Sequence, residues 1–255
     1  MKLTRRPGKS LNHLETGNDN RGDRQPGTDP LFLCILVYMK ILVTGATGLV
    51  GAEVLRQGVM NSSVSELIAV VRNTPAFDNA KLNYVFHKDF SEYHSLESYI
   101  RSAQAVAWCL GISQTQVSRA QYEAITYDYV MACANVCKEI NPSIRFLFIS
   151  GNGADRSEKS RTVFKRIKGK AENGLLALNL KNLFILRPDA IRPRHKNPKA
   201  PFLYKLGYPL FPLIQAIAPN KIIWSDALAR AILKIAVEGN AEQTLENATL
   251  KSLGA

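Results

Sequence analysis

Thr44-Gly45-Ala46-Thr47-Gly48-Leu49-Val50-Gly51 sets glycines at a G-x-x-G-x-x-G spacing between a short apolar run, Lys40 to Thr44, and an amphipathic stretch, Leu49 to Met60. An apolar run that ends in a glycine turn and continues as a helix commits the chain to a strand-turn-helix unit. Gly45 permits the tight turn, Gly48 lets the backbone approach a pyrophosphate, and Gly51 lets the helix pack against the strand. The N–H groups around Thr47, Leu49 and Val50, at the start of the helix, then face the phosphates. Glycine triplets also occur in ordinary turns, but here the strand before and the helix after are both present, so nucleotide binding is expected.

The kind of dinucleotide is read at the end of the next apolar run, where an acidic side chain would accept hydrogen bonds from the adenosine ribose. The sequence there is Val70-Val71-Arg72-Asn73, without a carboxylate. Arg72 can pair in bidentate fashion with a 2'-phosphate, which favours NADP(H) over NAD(H).

Short, nearly continuous apolar runs recur at Glu66 to Arg72, Leu82 to Phe86, Gln104 to Leu110, Ile144 to Ser150 and Leu183 to Arg187. Runs that are apolar on both faces fit parallel strands covered by helices on each side. Helical spacing lies between and after them, at Ser95 to Ser102, Arg119 to Ile140, Arg161 to Leu180 and Ser225 to Glu238. Ser225-Asp226 read as the capping residues of the last. The alternation predicts an α/β fold with a doubly wound parallel sheet. From Pro188 to Pro219 seven prolines punctuate the chain, which predicts a small, irregular substrate-side lobe over residues 188–224.

Residues 1–30 mix Gly, Pro, Asn, Asp and Arg without apolar periodicity, so residues 1–38 are expected to be a disordered extension, with Met39 a candidate natural start and 39–255 the folded domain. Lys40 interrupts the apolar run Leu31 to Val43, and no stretch reaches the roughly 18 residues of a membrane-spanning helix. Four cysteines, Cys34, Cys109, Cys133 and Cys137, are too few for a disulfide framework. They predict a reducing compartment, read as the cytoplasm. Cys133 and Cys137 lack further ligands at metal spacing, so no metal site is expected. The net charge of +12 is concentrated in residues 156–199, where thirteen Lys and Arg face Glu158, Glu172 and Asp189.

The glycine turn, Val71-Arg72-Asn73, Asp89 after the third strand, Leu110-Gly111 after the fourth, Ser150 after the fifth and Leu186-Arg187-Pro188 after the sixth together resemble the atypical short-chain dehydrogenase/reductases. Over about residues 39–240 the chain is most similar to their NmrA-like and Tat-interacting-protein-like branches, which have a Rossmann-like fold. The resemblance implies that Asp89 lies near the adenine and Leu110 and Gly111 near the cofactor's ribose. It further implies a Ser at the end of the fifth strand and a Tyr and Lys four residues apart on the next helix. That spacing puts both on one helical face, so the lysine holds the nicotinamide ribose and lowers the phenol's pKa. Ser150 and Lys168 match; the residue four before Lys168 is Phe164. A Tyr-x-x-x-Lys spacing does occur at Tyr84 to Lys88, but on the third strand and its exit.

Two readings follow. In one, the chain is an NADP(H)-dependent oxidoreductase whose proton comes from another group; in the other, it binds the dinucleotide without turnover, as a regulatory or assembly protein. The basic residues Lys165, Arg166, Lys168, Lys170, Arg187, Arg192, Arg194, His195, Lys196 and Lys199 favour an anionic small substrate or an acidic protein partner. Nucleic acid is disfavoured, because no aromatic residues are interleaved as stacking platforms.

Overall fold

The computed structural model describes residues 38–73, 77–195 and 221–255. The expected extension over residues 1–38, apart from Tyr38, and the proline-rich residues 196–220 lie outside the described residues. Strands β1 (Met39–Thr44), β2 (Val64–Val71), β3 (Leu82–Phe86), β4 (Ala105–Trp108), β5 (Arg145–Ile149), β6 (Asn182–Arg187) and β9 (Thr244–Glu246) form one parallel sheet in the order β3-β2-β1-β4-β5-β6-β9. The order reverses between β1 and β4, and the crevice at their carboxyl ends is where ligands bind in this architecture. The doubly wound sheet expected from the alternation is the observed one.

Side-chain alternation sorts the strands' apolar residues into two cores. Ile41 and Val43 of β1 pack on α1 (Leu49–Gly58), α6 (Ser225–Glu238) and α7 (Asn247–Leu253) through Val54, Ile232 and Leu250. Leu42 faces the other way, into a layer formed by α2 (Glu97–Ser102), α4 (Tyr129–Ile140) and α5 (Val163–Ala177), with Ile100, Val130, Cys133 and Leu175. Burial on both faces explains why these strands read as unbroken apolar runs rather than alternating ones.

The helix expected over Arg119 to Ile140 is interrupted. α3 (Arg119–Glu123) opens on a reciprocal cap between Ser118 and Gln121, and one π-helical turn, Ala124–Asp128, joins it to α4. Ser225 is not the cap of α6: that position is Trp224, while Ser225 Oγ accepts a hydrogen bond from the Arg194 N–H at 3.0 Å. Within the expected lobe, β7 (Ala190–Arg192) and β8 (Ile222–Trp224) pair in parallel as a separate two-stranded sheet. No helix among the described residues is long and apolar enough to cross a membrane.

Candidate functional site

The turn between β1 and α1 is built by backbone crowding that excludes side chains. Gly45 has φ +62°, and a Cβ there would lie 2.6 Å from the Cys109 carbonyl oxygen at the end of β4. A Cβ on Gly51 would lie 2.3 Å from the Gly45 carbonyl oxygen, so Gly51 seats the helix on the turn itself rather than on the strand. Gly48 N–H donates to that same carbonyl at 2.8 Å, while a Cβ on Gly48 would meet, among the described residues outside its chain neighbours and its own helix backbone, only that oxygen, at 3.1 Å. Gly48 is the N-cap of α1 and supplies no side-chain cap, and the first turn carries no acid. Among the described residues the N–H groups of Leu49, Val50 and Gly51 have no partner, and a helix end of this kind favours an anion. This cradle fits a pyrophosphate, with Thr47 exposed beside it.

The neighbouring strand ends line the same sheet edge. Leu110 N–H donates to Thr44 Oγ1 at 3.3 Å, joining the ends of β1 and β4, and among the described residues, its two chain neighbours aside, no atom stands within 4 Å of where a Gly111 side chain would begin. Arg72, just past β2, is exposed and makes no hydrogen bond or ion pair among the described residues. Asp89, past β3, accepts from the N–H and hydroxyl of Ser91 at 2.9 and 2.5 Å, which holds its carboxyl below the usual range. Tyr84 lies on the edge strand β3, where its hydroxyl donates to the Phe77 carbonyl, so the Tyr84 to Lys88 spacing has no connection with α5.

On α5, Lys168 Nζ donates to the Ile149 carbonyl at 2.8 Å and stands 4.8 Å from the centroid of the Phe148 ring. Desolvation pushes its ammonium down to about 8, partly offset by the Glu172 carboxylate one turn along. Phe164, one turn before, has its backbone N–H bound to Gln114 Oε1 at 2.9 Å, tying α5 to the loop after β4. The tip of its ring closes on the chain just past β5: a Cβ on Gly151 would lie 2.5 Å from Phe164 Cζ.

Ser150 is turned toward Glu172. Its hydroxyl donates to Glu172 Oε1 at 2.6 Å, and its N–H donates to the Leu186 carbonyl at 2.7 Å. Glu172 is fully buried and also accepts from Arg156 Nε at 2.7 Å and from Arg187 Nε and Nη2 at 2.9 and 2.5 Å. Burial alone would raise this carboxyl, but Arg187, Ser150 and Arg156 together hold it below the usual range. Arg187 continues to Glu246 at 3.1 Å and Arg156 to Thr244 Oγ1 at 3.0 Å, so the network links α5, the end of β5, β6 and β9. Sequence reasoning missed it. The available signal was Glu172 itself, the one acid on a helix that carries Lys165, Arg166, Lys168 and Lys170.

The network also changes the account of the basic segment. Arg156 and Arg187 share the single charge of Glu172, with Glu246 also paired to Arg187, while Lys170 pairs with Glu123 at 2.6 Å and Arg194 lies 3.7 Å from Asp226. Arg192 and Arg194 flank the Trp224 ring at 4.2 and 5.3 Å, and His195 Nε2 is 3.7 Å from Glu53. Lys196 and Lys199 lie outside the described residues. Among the described residues no group of His, Cys, Asp or Glu is placed to hold a metal ion.

Residues 41–161 match the family model of the NAD dependent epimerase/dehydratase family. "Protein fmp52, mitochondrial" of Emericella nidulans is 27% identical over 158 residues, which are 59% of this chain and 66% of that protein, so the chain spans just under two thirds of its length. "Protein FMP52, mitochondrial" of Eremothecium gossypii is 29% identical over 179 residues, 67% of this chain and 77% of its own. Among solved structures, the Bordetella bronchiseptica enzyme WbmF in complex with NAD+ superposes with a TM-score of 0.63 at 11% identity, covering 86% of this chain and 77% of that one. The dTDP-glucose 4,6-dehydratase of Bacillus anthracis, in complex with NAD, gives 0.60 at 15% identity, covering 81% and 74%. The fold is therefore the Rossmann-like α/β fold that these solved structures share. The relatives' names correct the cytoplasmic location expected from the cysteines. Sparse, unpaired cysteines argue for a reducing compartment but do not say which one.

Proposed function

We propose that this chain is an NADP(H)-binding protein of the atypical short-chain dehydrogenase/reductase type, set beside the NmrA-like and Tat-interacting-protein-like branches, that reduces carbonyls slowly or not at all. The Gly45–Gly51 cradle holds the pyrophosphate, Arg72 the 2'-phosphate, Asp89 the adenine side, Leu110 and Gly111 the ribose side, and Lys168 the nicotinamide ribose. When bound, a reduced nicotinamide supplies hydride to a carbonyl carbon, and the reaction also needs a proton at the carbonyl oxygen. What supports the reading is Phe164, a phenyl without a proton to give, one turn before Lys168 on α5 and with its ring tip over Gly151. Ser150 supports it, because its one hydroxyl proton is given to Glu172. The chain then acts as a dinucleotide-responsive regulatory or assembly protein, and the relatives' names favour a mitochondrial setting.

Lys168 favours a second reading, an NADP(H)-dependent oxidoreductase acting on an anionic substrate. Its ammonium is pushed down to about 8 and spends one N–H on Ile149, so it could itself deliver the proton. Fluorescence titration with NADPH and NADH, followed by a panel of carbonyl compounds, separates the two. Tight NADPH binding without its oxidation supports the first, rapid oxidation by any panel member the second, and failure to bind either dinucleotide defeats both.

A further inference from the structure

Of the four buried side-chain polar atoms without a hydrogen-bond partner among the described residues, three belong to one aromatic cluster: His87 Nε2, Tyr93 Oη and Trp108 Nε1. The three residues are 7%, 1% and 0% exposed. Tyr93 stands between the others, its ring centroid 5.1 Å from that of His87 and 6.0 Å from that of Trp108. Phe90 and Phe146 close the cluster on either side, on the sheet face opposite α1. The Cys133 and Cys137 thiols of α4 face one another at 4.0 Å. Burial pushes the Tyr93 phenol well above its usual range, and these two thiols add to the shift.

A buried donor or acceptor left unpaired costs roughly 5- to 150-fold in the folding equilibrium, and three on neighbouring rings are more than an ordinary domain carries without compensation. The indole N–H can only donate, the phenol can do both, and a neutral imidazole offers one donor and one acceptor. Their common complement is a molecule that both donates and accepts and is small enough for a packed aromatic layer. We propose that His87, Tyr93 and Trp108 form an internal water site. Such waters bind with about three hydrogen bonds to buried groups that are otherwise unsatisfied.

The test uses the full chain carrying Trp224→Phe, which leaves Trp108 as the sole indole of the two tryptophans. Magnetisation transfer from water to the Trp108 indole N–H is recorded, and Tyr93→Phe is compared with its parent in urea. The expected result is a cross-peak from a long-lived water and a folding equilibrium about fivefold weaker in Tyr93→Phe, the worth of one hydrogen bond. An indole without a water cross-peak overturns the site. So does a Tyr93→Phe chain as stable as its parent or more so, since deleting an orphaned hydroxyl relieves a cost. A cross-peak that vanishes in Tyr93→Phe while stability rises marks hydroxyl exchange rather than bound water, and overturns it as well.

Discussion

The Phe164 ring fills the space that a side chain at Gly151 would need: it would begin 2.5 Å from the tip of the ring. Position 164 thus differs from the reductase pattern by more than a missing hydroxyl. The ring needs a glycine beneath it, and with that glycine the segment after β5 loses any side chain at its second position. Ser150, the first, points to Glu172.

Phe164→Tyr adds a phenol one helical turn from Lys168, on the same face. General acid catalysis is worth about 10² to 10⁴ in rate, so even partly restored geometry should appear as new NADPH-dependent carbonyl reduction. Adding Lys168→Ala should remove the gain. A wild-type chain that is already a fast reductase, unaffected by Phe164→Tyr, would show that α5 does not supply the proton.

Gly48→Val should abolish NADPH binding at a cost of about 1 kcal/mol or less in stability, because its side chain enters the space left for the phosphates and approaches only the Gly45 carbonyl. Gly45→Ala should behave oppositely. Its φ of +62° and the Cys109 carbonyl at 2.6 Å make the substitution a folding defect, with a loss of a few kcal/mol. Thermal melts alongside NADPH titrations check both.

The elements that could be read in the sequence are those whose pattern is local. Strands buried on both faces leave apolar runs, and the β1 turn leaves its glycines, so the sheet and the cradle were legible from residues 40 to 187. β9, with three residues, and α7 after it left no periodicity to read, because β9 is defined by pairing with β6. The Glu172 network joins residues 150, 156, 172, 187 and 246, and no spacing announces contacts made across that distance. Ser225 looked like a cap because it precedes an apolar period, but the backbone enters α6 one residue earlier.

Arg72→Asp should weaken NADPH binding roughly 10- to 100-fold, since a charge-assisted pair becomes a repulsion, and leave NADH binding nearly unchanged. Arg72 is exposed and has no partner among the described residues, so the fold should not suffer. Parallel titrations decide it: equal losses for the two dinucleotides would remove Arg72 from the 2'-phosphate site.

Lys168 makes a prediction in alkali. Its ammonium is pushed from 10.5 down to about 8, so between these values the unfolded chain holds a proton that the folded chain has released. Stability should therefore rise with pH across that window, and the rise should be lost in Lys168→Met. On the proposed role of Lys168 at the nicotinamide ribose, NADPH affinity should fall over the same range, as its charge disappears. Urea midpoints and titrations at pH 7 and 9.5 test both directions; an affinity that does not change with pH would take Lys168 out of the cofactor site.

Glu172→Gln tests whether the buried carboxylate organises this end of the sheet. An amide keeps the shape and one acceptor, so Ser150 can still be bound, but the charge that balances Arg156 and Arg187 is gone. Removing one partner of a buried ion pair costs about 3–5 kcal/mol, and the Arg187 side chain, 17% exposed, has little water to turn to. The carboxyl is held below its ordinary 4.5 in the folded chain. Its contribution is therefore fully present above that value and is lost as pH falls through the lowered one. Wild type and Glu172→Gln should differ most in urea midpoint near pH 7 and converge in acid, as the wild-type carboxyl takes up its proton. A gap that stays constant down to pH 3 would mean that the substitution acts through packing rather than charge.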